Sequence, residues 1–597
     1  MKDCSPVKTV LRKGFLQDKQ ELNRHVTIKA VYERFAETGR IRAFDFAWRE
    51  GEPFKPHIFW DSDVAKWMEG AAYILRKHPD AKLQKRVEDI IDRIEAHQCA
   101  DGYFNIYFTN VEPSRRFFDR NCHELYCAGH LIEAAVAYAE ATGRERFLNA
   151  MKKYADYIRK VFLEEKSARF QTPGHEEIEL ALVRLYRYTG ERKYLELAAF
   201  FIDRRGVADE EHLDYNQSHL PVREQSEAVG HAVRAVYLYT AMADLAYELR
   251  DAKLKSACRR LFRSITEQKM YVTGGIGSCY LGEDFSKPFD LPNAEAYTET
   301  CAGIGLIFFC DRMMRLENSA VYADVIERVL YNGVMSGLSL DGKRFFYENP
   351  LEITLQDHFA NSRGEKRYPI TQRPKFFGCS CCPPNLNRLL PDLEKYLFGR
   401  DGSTLYINQF ASAALDEDGV RAETQTDYPN SGEVRIRVSG CRKVAVRMPG
   451  WCEGFKMSVP FEKRGGYAVA EVPQAGLDFS VDMDISPFAV CSGHEVTRDA
   501  GLVCIQAGPI VYCAESVDNC ENLHAIRISP DFSWKAEYEP KFGLNRLEIG
   551  AFRLLGGKTL YSRAKDEKEE AFSLKLIPYC CFANRGETDM LVWFRRK

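Results

Sequence analysis

A helical-hairpin motif that returns along the N-terminal half of the chain limits the fold more than any other feature. Gly129-His130 leads a run with apolar side chains at Leu131, Ala134, Ala135 and Tyr138, which closes at Thr142-Gly143. Phe147-Leu148 and a second helical pattern through Ile158 follow. Gly174-His175 begins the same design with Ile178, Ala181, Leu182 and Leu185, then Thr189-Gly190, Tyr194-Leu195 and a pattern to Ile202. Gly230-His231 begins it again through Val233, Val236, Tyr237 and Thr240, with a partner helix over 252–268. Less regular copies run from Val64 to Ala96 and from Ala302 to Val334. In each unit the first helix is apolar on most of its circumference, a glycine ends it, and the second helix is apolar along one stripe only. A helix of the first kind needs neighbours on every side. Closing five or six hairpins into a double ring supplies them, so the expected fold is a mainly α N-terminal (α/α)6 barrel. An open superhelix buries less and is the competing architecture.

Beyond Phe398 the period changes from helix to strand. Leu405–Phe410, Glu433–Val438, Lys443–Met448, Tyr467–Val472, Leu477–Ile485, Leu502–Val511, Arg546–Leu555, Phe572–Pro578 and Met590–Arg595 read as strands between Gly, Pro, Asn or Asp turns. This spacing predicts C-terminal antiparallel β-sandwich domains. The expected division is a barrel over 14–397, a first sandwich over 398–495, with residues 1–13 as candidates to join it, and a second sandwich over 496–597.

The strongest chemical signal is Gly378-Cys379-Ser380-Cys381-Cys382-Pro383-Pro384-Asn385. Adjacent cysteines reach one ion only from irregular backbone, which the prolines impose, and Pro384 then suits the first turn of a helix running through Leu397. A helix N-terminus also favours the thiolate. Glu299-Thr300-Cys301, just before a helix expected over 302–316, offers a second ligand pair. Together they can supply three sulfurs and one oxygen, the four-coordinate set that zinc favours. On ligand types alone, a closed structural zinc knuckle is the commoner use of such a set, a working site the next reading and plain core thiols the last.

Histidines shift that balance. His123 and His130 stand at the start of one inner helix, and His175 and His231 at the start of the next two. Equivalent positions in a closed ring face one end, so these side chains are expected to converge on a polar mouth. Glu283, in Gly282-Glu283-Asp284-Phe285, is by itself an ordinary exposed acid. Phe59-Trp60, Trp67, Tyr103-Phe104 and Phe345-Phe346-Tyr347 line a sugar pocket or belong to the core. The loop Tyr271–Gly277 does not have the spacing of a phosphate-binding loop and reads as a plain connection.

A formal net charge of −3 without a Lys/Arg block argues against a nucleic-acid partner. No stretch approaches the roughly 18–20 apolar residues of a membrane span, and Met1–Val10 does not resemble a secretory leader. The 19 cysteines then argue for reduced thiols, and the expected location is cytoplasmic.

Ordered motifs carry a resemblance. Asp61-Ser62-Asp63, His123-Glu124-Leu125-Tyr126-Cys127, Pro173-Gly174-His175-Glu176, Leu220–Gln225, Gly230–Arg234, Leu291-Pro292-Asn293, Glu299–Gly305, Asn349–Glu352 and Cys379–Asn385 resemble the β-L-arabinofuranosidases of glycoside hydrolase family 127. The likeness is dense from Phe59 to Arg388 and loose in the strand region. It implies an (α/α)6 barrel followed by β-sandwich domains. It further implies zinc held by Glu299, Cys301, Cys381 and Cys382, with Cys381 as nucleophile, Glu283 as general acid/base, and His123, His175, His231 and Tyr347 around the sugar. On that reading the enzyme is a retaining exo-hydrolase that releases L-arabinose, and the thiolate replaces one carboxylate of the usual pair. Its partner is a small glycoside, with homodimerisation and the part of Cys379 left open. The competing functions are the same mechanism on another pectin pentose or branched acidic sugar, a sugar epimerase or polysaccharide lyase on the same barrel, and a non-catalytic glycan-binding protein; fold alone does not choose among them.

Overall fold

The computed structural model describes residues 2–208, 211–360, 368–556, 560–561, 563–564 and 567–597. Twelve helices organise its N-terminal part: α1 (Ile28–Glu37), α2 (Trp60–Lys77), α3 (Ala81–His97), α4 (Glu124–Thr142), α5 (Arg146–Arg159), α6 (Ile178–Thr189), α7 (Arg192–Arg204), α8 (Ala232–Glu248), α9 (Ala252–Gln268), α10 (Thr300–Leu316), α11 (Ala320–Arg328) and α12 (Cys382–Leu389). The even-numbered helices pack in the order α2, α4, α6, α8, α10, α12, and α12 returns against α2. Helices α3, α5, α7, α9 and α11 each lie on the even helix before them, and α1 lies on α2 and α12.

The reason is in the side chains. Helix α4 is buried at every residue from Glu124 to Ala139, and α8 from Ala232 to Ala246. Helix α5 buries only a stripe that includes Phe147, Met151, Tyr154 and Ile158. Fully buried helices sit inside and striped ones outside. Gly70 lets the first and last inner helices meet, because a Cβ there would lie 2.4 Å from the Asn387 carbonyl oxygen. Gly143 and Gly190 cap α4 and α6 in the left-handed region, at φ 69° and 73°.

Among the described residues three sheets follow, two of six strands and one of ten. The short strands Lys2–Asp3 and Thr9–Leu11 join one six-stranded sheet each, against Phe398–Asp401 and Ala413–Glu417. Burial alternates as period-2 strands require: in Glu433–Ser439, Val434, Ile436 and Val438 are buried. The third sheet reaches back to the helical part, where Glu352–Ile353 pairs with Met590–Leu591. It also includes Pro487–Val490, paired with Leu502–Ala507. The expected strand over 502–511 is two, Leu502–Ala507 and Ile510–Glu515, separated at Gly508 with φ 53°. The expected strand over 590–595 likewise divides into Met590–Leu591 and Phe594–Arg596.

Candidate active site

Two inner-helix N-termini meet in this site. Helix α10 begins at Thr300 rather than at 302, so Glu299 is its N-cap residue and Cys301 lies in its first turn. Helix α12 has Cys381 at the N-cap, with Cys382, Pro383 and Pro384 opening it. Cys301 Sγ lies 3.2 Å from Cys382 Sγ and 3.6 Å from Cys381 Sγ, and the two neighbouring thiols are 3.7 Å apart. Glu299 Oε1 is 3.5 Å from Cys381 Sγ and 3.6 Å from Cys382 Sγ. All four ligand atoms fall within 4.8 Å of one another, a group able to hold a metal ion. The sequence-derived ligand set is thus brought together. Cys379 is outside it, exposed, with its sulfur 3.9 Å from the Tyr347 hydroxyl.

So many acidic groups cannot ionise together in a buried place. Burial, with Cys381 and Glu283 adding to it, pushes the Glu299 carboxyl well above its ordinary range. Burial raises Cys382 in the same way, with the thiols of Cys301 and Cys381 adding to it. Burial also opposes ionisation of Cys301, but contacts from Cys381 and Cys382 outweigh it and bring that thiol down to about 6. A divalent cation among these atoms would relieve the crowding. A buried lysine stands nearby. Lys66 on α2 is fully buried and donates to the Tyr126 hydroxyl at 2.7 Å. Burial works against its ammonium, yet Cys301, Cys381 and Asp63 hold its pKa above the usual lysine value.

Two arginines fix the backbone that carries the cysteines. Arg40, 2% exposed, donates from Nε to Asp63 at 2.8 Å and from Nη2 to the Gly378 carbonyl at 2.8 Å. Its guanidinium lies 4.9 Å from the Trp60 ring and 4.7 Å from that of Phe376. In the second turn of α12, Arg388 donates to Asn385 (2.6 Å), Glu133 (2.7 Å), Tyr237 (2.9 Å) and Glu69 (3.1 Å), tying this helix to its neighbours in the inner ring. Lys66, Arg40 and Arg388 were not singled out from the sequence. Asp61, Asp63, Lys66 and Glu69, charged residues interleaved with the apolar positions of α2, were the available signal.

Glu283 faces the cluster from a loop. Its carboxylate accepts from His231 Nε2 at 2.6 Å and from the Tyr297 hydroxyl at 2.6 Å, with the Tyr347 hydroxyl at 3.5 Å. Glu283, His231 and Glu299 present ligand atoms within 4.8 Å of one another, so Glu299 borders both Glu283 and the thiols. Burial alone would raise the Glu283 carboxyl, but His231 and Tyr297 outweigh it and hold it below the ordinary value. Its φ of 56° is left-handed, an unfavourable conformation for this residue that the surrounding loop enforces.

The histidines form a row. Ring centroids of His123 and His175 are 5.6 Å apart, and those of His175 and His231 5.5 Å. Tyr126 packs against His175 at 4.1 Å. Burial, helped by Arg234, pushes His123 down to about 3 and His175 well below the usual range, so both present neutral imidazoles at pH 7. His130 departs from expectation. It lies in the second turn of α4, fully buried, with Nδ1 3.0 Å from Glu177. His123 instead occupies the N-cap of α4, the place that His231 has on α8. Trp67, Tyr103, Phe104, Phe345 and Phe346 are core residues, whereas Phe59 and Tyr347 border the site, against His123 and Glu283.

A carboxyl group poised beside a thiol cluster, with neutral imidazoles around it, is the equipment of an enzyme, and comparison with known proteins makes it a glycoside hydrolase. The description of the β-L-arabinofuranosidase GH127 catalytic domain matches residues 9–395; the GH127 middle and C-terminal domains match 404–470 and 488–595. The chain belongs to glycoside hydrolase family 127. It is 35% identical to a non-reducing end β-L-arabinofuranosidase of Bifidobacterium longum subsp. longum, over 91% of this chain and 90% of that one. The crystal structure of a GH127 β-L-arabinofuranosidase from Geobacillus stearothermophilus T6 superposes with TM-score 0.93 at 39% identity, covering 99% and 100% of the two chains. A GH127 β-arabinofuranosidase structure gives 0.91 at 34% identity, covering 100% and 98%.

Proposed function

We propose that this enzyme is a retaining exo-β-L-arabinofuranosidase that uses Cys381 as nucleophile and Glu283 as general acid/base. The observation that carries the reading is the shared neighbour: Glu299 lies 3.5 Å from Cys381 and within 4.8 Å of Glu283. A nucleophile and a proton donor are thus set around one small volume. His123, His175, His231 and Tyr347 surround the sugar, and neutral imidazoles suit hydroxyl groups as donors or acceptors.

The metal of this reading is zinc, held by Glu299, Cys301, Cys381 and Cys382. Zinc with sulfur at about 2.3 Å and oxygen at about 2.1 Å has tetrahedral S···S edges of about 3.8 Å and S···O edges of about 3.6 Å. The 3.6 and 3.7 Å S···S separations at Cys381 and the 3.5–3.6 Å S···O separations lie near those edges, while Cys301 and Cys382 stand closer, at 3.2 Å. Glu299 Oε2, buried and without a hydrogen-bond partner, also fits a carboxylate reserved for a ligand. When bound, zinc supplies the positive charge that lets these thiols stand as thiolates.

The chain's own residues do the rest. Cys381 sulfur forms a bond to the anomeric carbon as the bond to the departing oxygen breaks, and Glu283 gives that oxygen its proton. Glu283 then takes a proton from water, whose oxygen displaces the cysteine from the same carbon. Two inversions give retention. Lys66 holds a fixed positive charge near the sulfur throughout.

The cyclic packing of α2, α4, α6, α8, α10 and α12 supports an (α/α)6 barrel, and the alternating burial in the sheets supports sandwiches behind it. The division into 14–397, 398–495 and 496–597 remains a proposal, and the pairing of Pro487–Val490 with Leu502–Ala507 supports a second boundary before Pro487. No helix among the described residues is long and apolar enough to cross a membrane. Nineteen free thiols support a reducing, cytoplasmic setting.

The test is release of L-arabinose from a β-L-arabinofuranoside, with zinc quantified in the same preparation. Stoichiometric zinc and L-arabinose release are expected. Release of a different sugar, or full turnover by protein stripped of metal, would overturn the substrate or the zinc assignment respectively.

A further inference from the structure

Where the helical part meets both strand regions there is a cavity of about 920 Å³, lined by none of the residues around Glu283 or the thiols. Helices α9 and α11 form one wall, Gly450-Trp451 a second, and the hairpin through Gln506, Pro509 and Val511 a third. Junctions of this kind are common places for ligand sites. Part of the helical wall is apolar, with the buried rings of Phe262 and Tyr322 4.7 Å apart. The second wall is tied to α11: Gly450 N–H donates to Asp324 at 3.2 Å, and Trp451 Nε1 to Glu327 at 2.9 Å. The half-buried indole is thus fixed at the cavity's edge.

Arg328, the last residue of α11, is the odd member of the lining. Asp324 and Glu327 are bound by Arg447, and Glu317 by Arg259. Arg328 makes no ion pair among the described residues; its Nη1 donates to the Val272 carbonyl at 3.1 Å. Burial pulls its pKa below the ordinary arginine value, and Cys504, Asp324 and Glu327 relieve this only in part. A guanidinium has five N–H donors, and one carbonyl repays little of the cost of taking it from water. A ligand with an acid group would repay more.

The other walls narrow the chemistry. Glu267, Glu317, Asp324 and Glu327 all line the cavity, so a dianion such as phosphate meets repulsion there. A single carboxylate meets less, and pairs with the planar fork of arginine through two parallel hydrogen bonds. Carboxylates in turn accept from hydroxyl groups, and an indole gives apolar contact area to a ring. We propose that this junction cavity is a second, non-catalytic carbohydrate site that takes a uronate. Its carboxylate sits on Arg328, its ring against Trp451, and its hydroxyls donate to Asp324 and Glu267. The site stands whichever residue at the barrel mouth is the nucleophile.

The experiment is calorimetric titration of the full-length enzyme with methyl β-D-glucuronide, methyl β-D-glucoside and inorganic phosphate. The two glycosides differ only at the carboxylate. The glucuronide is expected to bind about tenfold or more tighter than the glucoside, and tighter than phosphate. Arg328→Gln should lose that preference, and Trp451→Ala should weaken both glycosides while Trp451→Phe, which keeps a ring, stays near the wild type. Arg328→Lys, which keeps the charge but not the fork, takes the place of Arg328→Gln if circular dichroism shows that variant unfolded, and should also bind the glucuronide more weakly. Equal affinity for the two glycosides, tighter binding of phosphate, or undiminished glucuronide affinity in the folded Arg328 variant overturns the site.

Discussion

His231 Nε2 lies 2.6 Å from Glu283 Oε2, and this contact keeps a half-buried carboxylate ionised against the effect of its own burial. An acid that must deliver a proton is thus held in its charged form in the free enzyme. Replacing His231 by Asn removes the strongest opposition to burial, so the Glu283 pKa rises. The reaction requires the protonated form, and kcat/KM declines as pH passes that pKa. The alkaline limb of the kcat/KM profile is therefore expected to move to higher pH in His231→Asn, alongside a higher KM. A limb that stays, or moves to lower pH, contradicts the assignment.

Arg40 offers a second test, because one guanidinium serves both Asp63 and the Gly378 carbonyl. Lysine can replace the charge but not the planar fork. Arg40→Lys is expected to lower kcat about tenfold or more while KM changes little, since the loop before Cys381 loses its anchor and the histidine row does not. Steady-state kinetics together with zinc content check this. A lowered melting temperature with unchanged kcat would make Arg40 a residue of the fold only.

Asp61 gives a prediction about stability. Burial raises its carboxyl to about 7, although the Ile106 N–H donates to it at 3.0 Å. Glu124 and Glu176 are raised to about 7 in the same way. Such a group keeps its proton in the folded chain when the unfolded chain has already lost its own. The stability it lends is complete below the ordinary carboxylate range, at about pH 4, and is lost as pH rises toward 7. Asp61→Asn does not titrate, so its melting temperature should fall less than that of the wild type between about pH 5 and about pH 8. Parallel curves would show that Asp61 does not hold a proton.

Much of this was legible in the sequence because the relevant signals are local. Apolar helices ending at Thr142-Gly143 and Thr189-Gly190 announced the hairpins, and Cys381-Cys382-Pro383-Pro384 announced a helix start bearing thiols. The failures come from register and long-range contact. The recurrent Gly-His pair looks like a fixed landmark, but His231 is the N-cap of α8, His175 precedes α6 by three residues, and His130 lies inside α4. The helix starts, and not the dipeptide, decide which histidine reaches the mouth, so His123 joins the row and His130 does not. Arg40 was invisible because its partner Gly378 is 338 residues away. The strand Trp534–Glu539 is not among the expected strands although Trp534, Ala536 and Tyr538 alternate with Lys535, Glu537 and Glu539; it lies almost wholly exposed against Leu544–Leu555, so its alternation marks no core face.

The most direct test is covalent. A β-L-arabinofuranoside with a good leaving group, mixed with the Glu283→Gln variant and quenched with acid, should leave one anhydropentose on the peptide that contains Cys381, because the variant lacks the base that activates water for release. Cys381→Ser should show neither the adduct nor turnover while keeping its helical circular dichroism. An adduct on another residue, or near-normal turnover in Cys381→Ser, would contradict the account.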